Sequence, residues 1–491
     1  MKNLSALFTD FYSLTMAQGY WKKGMNCRAI FEMFFRRQPF GGGFAVFAGL
    51  GTLLETILNL GFSDEDIGYL RGLGLFEEGF LAYLRDFRFT GSLWAMDEGR
   101  VVFPHEPLIR VDSGLIECQI LEGIILNTVN FQSLIATKTT RVWLASGKGT
   151  LMEFGLRRAQ GIDGAMSASR AAFIGGASGT SNTAAGKAFG IPVMGTMAHS
   201  WVMSFDNEEE AFSAYAEIYP KHPVFLIDTY DTLKSGAPNA ITVGKRLAAG
   251  GKNFGIRLDS GDIHYLSVEV RKMLDAAGLV KATIAVSNDL DESIIQTLTD
   301  AKAPINSWGV GTQMVTGGGD AAFTGVYKLT AKEDAAGRLC PAIKFSDNPE
   351  KTTTPGVKQV WRLKDSCGMA LADVLELESP AGLEDPAGDS APDSIQPGQR
   401  YAFWHPSADY RHFYHTPINA PEPLLKLCLK DGKLVREEPP LEAIRRFVQA
   451  DLDIFDQSYK RLLNPHIYKV SITHRLRELK LKLIKNFLED L

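Results

Sequence analysis

Cysteine is scarce in this chain. Its 491 residues hold five, Cys27, Cys118, Cys340, Cys367 and Cys428, scattered and odd in number. No two have metal-ligand spacing, which excludes a disulfide framework and a cysteine zinc site. Free thiols suit a reducing, cytoplasmic setting. Positive charge is not in excess either: 52 Lys and Arg face 57 Asp and Glu, a formal net charge of -5. That excludes a broad nucleic-acid surface and leaves room for a local basic pocket. No run approaches the ~20 apolar residues of a membrane span, so no membrane partner is expected. Asp10 and Gln18 interrupt any signal-peptide core, and the mature chain is expected to start at or near Met1. Neither the nucleotide P-loop spacing nor Gly-x-Gly-x-x-Gly opening a first βα unit is present, and no solenoid repeat appears.

What the chain has instead is one recurring pattern between Leu151 and Thr316: a short apolar run that stops abruptly at Gly, Ser, Asp, Asn, Arg or His. The stops are Glu153-Phe154-Gly155-Leu156-Arg157-Arg158, Gly175-Gly176-Ala177-Ser178-Gly179-Thr180-Ser181-Asn182 and Gly195-Thr196-Met197-Ala198-His199-Ser200. Four more follow: Ile227-Asp228-Thr229-Tyr230-Asp231, Arg257-Leu258-Asp259-Ser260-Gly261-Asp262, Ser287-Asn288-Asp289 and Gly309-Val310-Gly311-Thr312. Buried parallel strands are short apolar runs, and active sites of α/β barrels collect at their carboxyl ends. Helical stretches at 165–172, 182–188, 207–219, 237–249, 264–277 and 290–300 fall between the runs. Strands alternating with helices imply parallel βα units, with the seven ends forming the rim of one pocket.

The flanks differ. Residues 1–140 read as an α/β domain, opening with a helix at 5–23 whose Phe8, Tyr12, Met16 and Tyr20 share a stripe at i, i+4 spacing. Strands at 29–35 and 44–48, helices at 50–60, 64–72 and 76–85, short strands over 90–112 and a long apolar helix at 116–140 follow. The barrel occupies 141–330, a β-rich C-terminal region 331–440, and helices packing on the N-terminal domain 441–491. Pro, Asp and Gly enrichment makes 379–398 a weakly structured loop. The last helix carries Leu476, Leu479, Leu483 and Phe487 among basic residues and reads as a docking helix.

Several rim residues carry chemistry. Glycine at Gly175, Gly176 and Gly179, and at Gly309 and Gly311 beside Thr312, exposes backbone N–H groups that suit phosphate, or else simply makes tight turns. Arg157, Arg158 and Arg257 suit an anion, or an internal salt bridge to Asp259 or Glu153. Asp228, Asp231, Asp259 and Asp262 suit Mg²⁺ held together with substrate phosphates, or helix capping. His199 is a candidate base or nucleophile if a neighbour such as Asp228 orients it. Tyr12 and Phe154 are candidate core aromatics.

Taken with Thr9-Asp10-Phe11-Tyr12-Ser13-Leu14-Thr15-Met16, Phe31-Glu32-Met33-Phe34-Phe35-Arg36-Arg37 and Glu153-Phe154-Gly155-Leu156-Arg157-Arg158-Ala159-Gln160, these motifs resemble nicotinate phosphoribosyltransferase, collinearly from about residue 5 to 330. The resemblance implies the type II phosphoribosyltransferase fold, an irregular α/β barrel with an α/β N-terminal domain and a small β-rich C-terminal region. It implies conversion of nicotinate and phosphoribosyl pyrophosphate to nicotinate mononucleotide and pyrophosphate, coupled to ATP hydrolysis, with Mg²⁺, in a homodimer with shared active sites. Carried over, His199 is the phosphorylated histidine and Asp228 orients it. Tyr12 of a partner copy and Phe154 sandwich the pyridine ring. Arg257 and Thr196 lie near nicotinate and ribose, Arg157 on the ring and phosphate side, and Asp259 and Arg257 join His199 and Asp228 as catalytic residues. Asn288 binds substrate, and Gly309, Gly311 and Thr312 hold the 5′-phosphate. Nicotinamide-using relatives carry an aspartate where this chain has Ser181; a hydroxyl there donates to nicotinate's carboxylate where an acid would repel it. The alternative is a nicotinamide phosphoribosyltransferase.

Overall fold

The structure, a computed structural model, describes residues 4–348, 351–378, 395, 398–408, 411–415 and 421–489. The loop expected over 379–398 lies almost wholly outside the described residues. The chain divides into two compact units, one formed by Met1–Leu134 with Ala322–Leu491, the other by Ile135–Ala321.

The second unit is the βα array. Six parallel strands, Thr150–Glu153, Gly179–Thr180, Val224–Leu226, Gly255–Leu258, Thr283–Val286 and Ser307–Val310, form its sheet. Val224–Leu226 lies at one edge, followed across the sheet by Gly255–Leu258, Thr283–Val286, Ser307–Val310, Thr150–Glu153 and Gly179–Thr180. A single parallel bridge from Thr180 to Val193 extends that second edge. The strands are two to four residues long and, Gly179–Thr180 apart, centre on buried apolar side chains; Phe225, Ile256, Ile284 and Val310 are fully buried. The crossovers are Gly161–Ile174, Thr183–Phe189, Glu208–Ile218, Ala237–Ala249, Ile263–Ala276 and Glu292–Asp300, within a few residues of expectation. Side chains start them: Asn182, Asn207, Asp262 and Asp291 each accept the backbone N–H three residues on. One expected strand does not form. Gly195 to Ala198 carries no ladder, and helix His199–Met203 begins directly after it.

The first unit has two large sheets and a two-stranded one, Ala45–Val46 with Val101–Val102. In the seven-stranded one, Arg28–Phe35 lies between Gly325–Glu333 and Ile109–Gly114, antiparallel to both. The six-stranded one centres on Val470–Ile472 and Ala370–Leu377, a parallel pair. Its interior holds ion pairs: Arg362 reaches Asp373 at 2.7 Å and Asp451 at 3.3 Å, and Arg100 reaches Asp451 at 2.9 Å. An 18-residue window of helix Leu115–Ala145 has a mean hydropathy of 1.2, enough by length and composition to cross a membrane, contrary to the expectation of no such stretch. Of that window 61% is buried inside the protein, as befits a core helix. Helix Phe11–Lys22 also differs from expectation: it buries Ser13, Leu14 and Ala17, while Phe8, Phe11, Tyr12 and Met16 are exposed. The aromatic stripe is therefore the outer face of this helix.

Candidate functional site

The carboxyl ends of the six strands bring most of the expected rim residues together. At the end of Thr150–Glu153, the Phe154 N–H donates to Val310 O at 2.8 Å, tying two neighbouring ends. Glycine makes the fit. A Cβ on Gly309 would lie 2.7 Å from the Phe154 ring, so the ring rests across the bare backbone of the next strand. A Cβ on Gly155 would meet Val315 at 2.2 Å, and one on Gly311 would lie 3.1 Å from Phe154 O. The turns at 154–156 and 309–315 thus pack closely against each other, side chain on glycine at 155 and 309 and backbone on backbone at 311. Arg257 lies over Phe154, its guanidinium carbon 5.8 Å from the ring centroid.

Arg257 organises the centre. It donates to Ser287 Oγ at 2.9 Å, Thr196 Oγ1 at 3.0 Å, Met197 O at 3.3 Å and Asp259 Oδ1 at 2.9 Å. The internal salt bridge weighed for this arginine is formed. Ser287 also donates to Asp259. Burial would raise the Asp259 carboxyl, but the hydrogen bonds from Ser287 and Arg257, with the charges of Arg257 and His199, hold it below the usual carboxylate range.

His199 stands at the first position of its helix with 41% of its side chain exposed. Its Nδ1 is 3.1 Å from Thr229 Oγ1, and its Nε2 is 3.8 Å from Asp259 Oδ2. Asp228, expected to orient it, does different work. Asp228 Oδ2 accepts the Asp259 N–H at 2.9 Å and the Ser260 hydroxyl at 2.6 Å. Its Oδ1 is buried without a hydrogen-bond partner among the described residues. The partner of the imidazole is the next residue, Thr229, because Asp228 is turned towards the 259–260 backbone. Thr229 was not singled out in the sequence; its only signal is its place inside a strand-end run.

Other expectations sort themselves. Asp262 caps Ile263–Ala276, and Asp231 accepts from Leu233 and Lys234 N–H, so both are capping residues. Gly175 and Gly176 are buried at the amino side of strand Gly179–Thr180, where a Cβ would meet Ala136 O at 2.3 Å or the Trp143 ring at 2.9 Å. They allow close helix packing and stand away from the carboxyl rim. Arg157 and Arg158 are exposed on the turn after Phe154. Asn288 is exposed with φ 126°, a conformation that side chains rarely adopt and that concentrates at functional sites. Ser181 is half-buried, its N–H donating to Glu153 O at 2.9 Å. Tyr12 belongs to the other unit; its hydroxyl donates to Glu122 at 2.9 Å, and burial, then Glu122, pushes its pKa up to about 12. Among the described residues no group of three or more His, Cys, Asp and Glu is arranged to hold a metal ion.

Known proteins match along the whole chain. Residues 7–130 match the nicotinate phosphoribosyltransferase N-terminal domain, 150–370 the nicotinate phosphoribosyltransferase family and 357–480 its C-terminal domain. The nicotinate phosphoribosyltransferase of Bacillus subtilis is 42% identical over 470 residues, 95% of this chain and 93% of its own. That of Mus musculus is 34% identical, covering 96% and 95%. The crystal structure of human nicotinic acid phosphoribosyltransferase superposes with a TM-score of 0.82 at 32% identity, covering 97% of this chain and 99% of that one.

Proposed function

The chain belongs to the nicotinate phosphoribosyltransferase family and is an enzyme of that kind, and on that premise we propose how its rim performs and couples the transfer. The observation that carries the reading is the convergence of Phe154, Arg257, Asp259 and His199 on one set of strand ends. Nicotinate lies on the Phe154 face, where ring stacking adds about 0.5–1.5 kcal/mol beyond buried area. Its carboxylate faces Ser181 and Arg157. The ribose lies towards Thr196, Asp259 and Asn288, and the 5′-phosphate at the backbone of Gly309, Gly311 and Thr312.

The pyridine nitrogen attacks C1 of the ribose as the C1–O bond to pyrophosphate breaks. Its lone pair forms the new bond and pyrophosphate leaves with the old pair. No general base takes part, since that nitrogen carries no proton. Orientation is the main device, worth about 7–11 kcal/mol when reactants are well placed. Asp259 stands where positive charge develops on the sugar, a fixed carboxylate that needs no reorganisation.

ATP coupling runs through His199. With Nδ1 against Thr229, Nε2 is the nitrogen left for phosphoryl transfer, facing Asp259 Oδ2 at 3.8 Å. Its lone pair takes the terminal phosphoryl group of ATP, releasing ADP, and water later cleaves the N–P bond to free phosphate. Mg²⁺ fits the oxygen-only donors here: the buried, unpartnered Asp228 Oδ1 and the Asp259 carboxylate. These two side chains would hold the ion, which would neutralise phosphate charge there. Two copies share sites, Tyr12 of one covering the nicotinate of the other; the exposed face of Phe8, Phe11, Tyr12 and Met16 supports pairing. A cytoplasmic location suits the free thiols.

Radiolabelled nicotinate with phosphoribosyl pyrophosphate and Mg²⁺, with and without ATP and beside labelled nicotinamide, tests the reading. Nicotinate mononucleotide boosted by ATP is expected. Turnover of nicotinamide alone refutes the role of Ser181, and indifference to ATP refutes the coupling.

A further inference from the structure

We propose that Glu153 is the positioning residue that holds the two sides of the nicotinate site in register, and so governs nicotinate affinity and the choice of acid over amide. This rests on the placement of nicotinate against Phe154 and Ser181 proposed above. Strand Thr150–Glu153 buries Leu151 fully and ends on Glu153, a charged residue only 1% exposed. A buried acid is costly unless donors converge on it. Here three do: the Gly155 backbone N–H, the Ser169 hydroxyl at 2.9 Å and the Thr180 hydroxyl at 2.5 Å. The backbone carbonyl of the same residue accepts the Ser181 N–H at 2.9 Å.

The consequence is geometric. Phe154 is held from its amino side by the hydrogen bond to Val310 O and from its carboxyl side by the Glu153–Gly155 clamp. The turn at 180–182 hangs from the same residue: Thr180 by its hydroxyl, Ser181 by its N–H, and Asn182 through its N–H to Thr180 Oγ1 at 2.9 Å. One side chain therefore fixes the surface that stacks on the pyridine ring relative to the hydroxyl that reads the ring's substituent. Only a carboxylate accepts on both oxygens from donors that cannot all reverse. The Gly155 N–H has no acceptor function, while the Ser169 hydroxyl has a second outlet in Ala165 O at 3.0 Å. Glutamine keeps one acceptor and turns its amide towards the hydroxyls, which reorient; leucine keeps the volume and loses every bond.

The test compares Glu153→Leu, Glu153→Gln, Thr180→Val and Phe154→Ala. The readouts are KM for nicotinate, KM for phosphoribosyl pyrophosphate, the nicotinate-to-nicotinamide ratio of kcat/KM, and Tm. Loss of hydrogen bonds to a buried acceptor predicts a rise of about tenfold in nicotinate KM for Glu153→Leu and about threefold for Thr180→Val. The phosphoribosyl pyrophosphate KM changes less in each, Glu153→Gln restores most of the nicotinate affinity, and the acid-to-amide ratio falls in step. A lowered Tm with both KM values unmoved, or moved equally, overturns the proposal by making Glu153 a structural residue alone. If Glu153→Leu does not fold, the Gln and Thr180→Val variants decide by the same split. Phe154→Ala separates the two levels. If it leaves nicotinate KM unchanged, the placement of nicotinate is wrong. If it raises that KM while Thr180→Val and the folded Glu153 variants do not, the role of Glu153 alone is wrong.

Discussion

Gly309→Ala is the sharpest perturbation of the ring-stacking surface, because it adds one methyl group and removes nothing. The Cβ would stand 2.7 Å from two carbons of the Phe154 ring and 3.3 Å from Ser287 Cβ. Gly309 is not among the glycines with positive φ, so the backbone tolerates alanine and the clash is purely lateral. Something must shift, and overpacking of this kind costs about 1–3 kcal/mol. The Phe154 ring gives way, since Ser287 is locked between Arg257 and Asp259. A displaced ring forfeits the stacking contribution, about 0.5–1.5 kcal/mol, which at 1.36 kcal/mol per decade is about a 2-fold to 13-fold rise in nicotinate KM. Product formation at saturating phosphoribosyl pyrophosphate measures that KM, and thermal unfolding measures the strain. The double variant Gly309→Ala/Phe154→Leu should recover stability, because a smaller side chain accepts the methyl group, without recovering nicotinate affinity. That non-additivity is the signature of direct contact. Gly309→Ala with unaltered Tm and unaltered nicotinate KM refutes the packing argument.

Other consequences are equally concrete. His199→Ala should abolish stimulation by ATP and retain ATP-independent transfer of nicotinate; complete loss of transfer in a folded variant would defeat that division of labour. Asp228→Asn should fold normally, since the amide oxygen replaces Oδ2 as acceptor for Asp259 N–H and Ser260 Oγ, but should need more Mg²⁺ for half-maximal activity. An unchanged Mg²⁺ requirement would remove Oδ1 as a metal donor. Burial, then the charges of His405, Lys480 and Arg36, lowers His105 from 6.5 to about 4. Between those values the unfolded chain binds the extra proton, so this contribution is complete above pH 6.5 and declines towards pH 4 by about 3 kcal/mol. Urea unfolding from pH 7 to 4.5 should show a shallower decline in His105→Asn, a residue that tolerates the positive φ at this position; parallel profiles would contradict it.

The βα array was legible because most of its strands are short apolar runs, although Gly179–Thr180 carries no apolar side chain and is not marked by composition. Helix 237–249 was expected with the bounds it has. The run at Gly195–Ala198 has the same apolar look and forms no strand, because pairing is decided by neighbours, and only Val193 finds one in Thr180. The glycines at 175 and 176 resembled a phosphate loop because sequence does not say which end of a strand a glycine serves. The stripe of Phe8, Tyr12 and Met16 has helical spacing but points outward, and spacing does not reveal which face is buried. Pairing of Arg28–Phe35 with Gly325–Glu333 spans nearly 300 residues with no local mark in either strand. Glu153 did leave a signal: a charged residue closing a buried strand must be paid for by donors, and three hydroxyl or N–H groups within 27 positions supply them.

The electrostatics of the rim follow from one chain of contacts. Asp228 fixes the Asp259 backbone, Arg257 and Ser287 hold the Asp259 carboxylate, and that carboxylate faces His199 Nε2. Arg257 in turn fixes Thr196 and the Met197 carbonyl two residues before the helix that carries His199. A change in charge on His199 is therefore felt first by Asp259, the group proposed to stabilise the developing sugar cation. In the proposed coupling, a phosphoryl group at Nε2 would place negative charge beside a carboxylate that its partners hold below the usual range, a repulsion that a bound cation would relieve. On the proposed coupling, phosphorylation and cation binding would both act between Nε2 and Asp259 Oδ2, which stand 3.8 Å apart and would have to separate to admit the phosphoryl group.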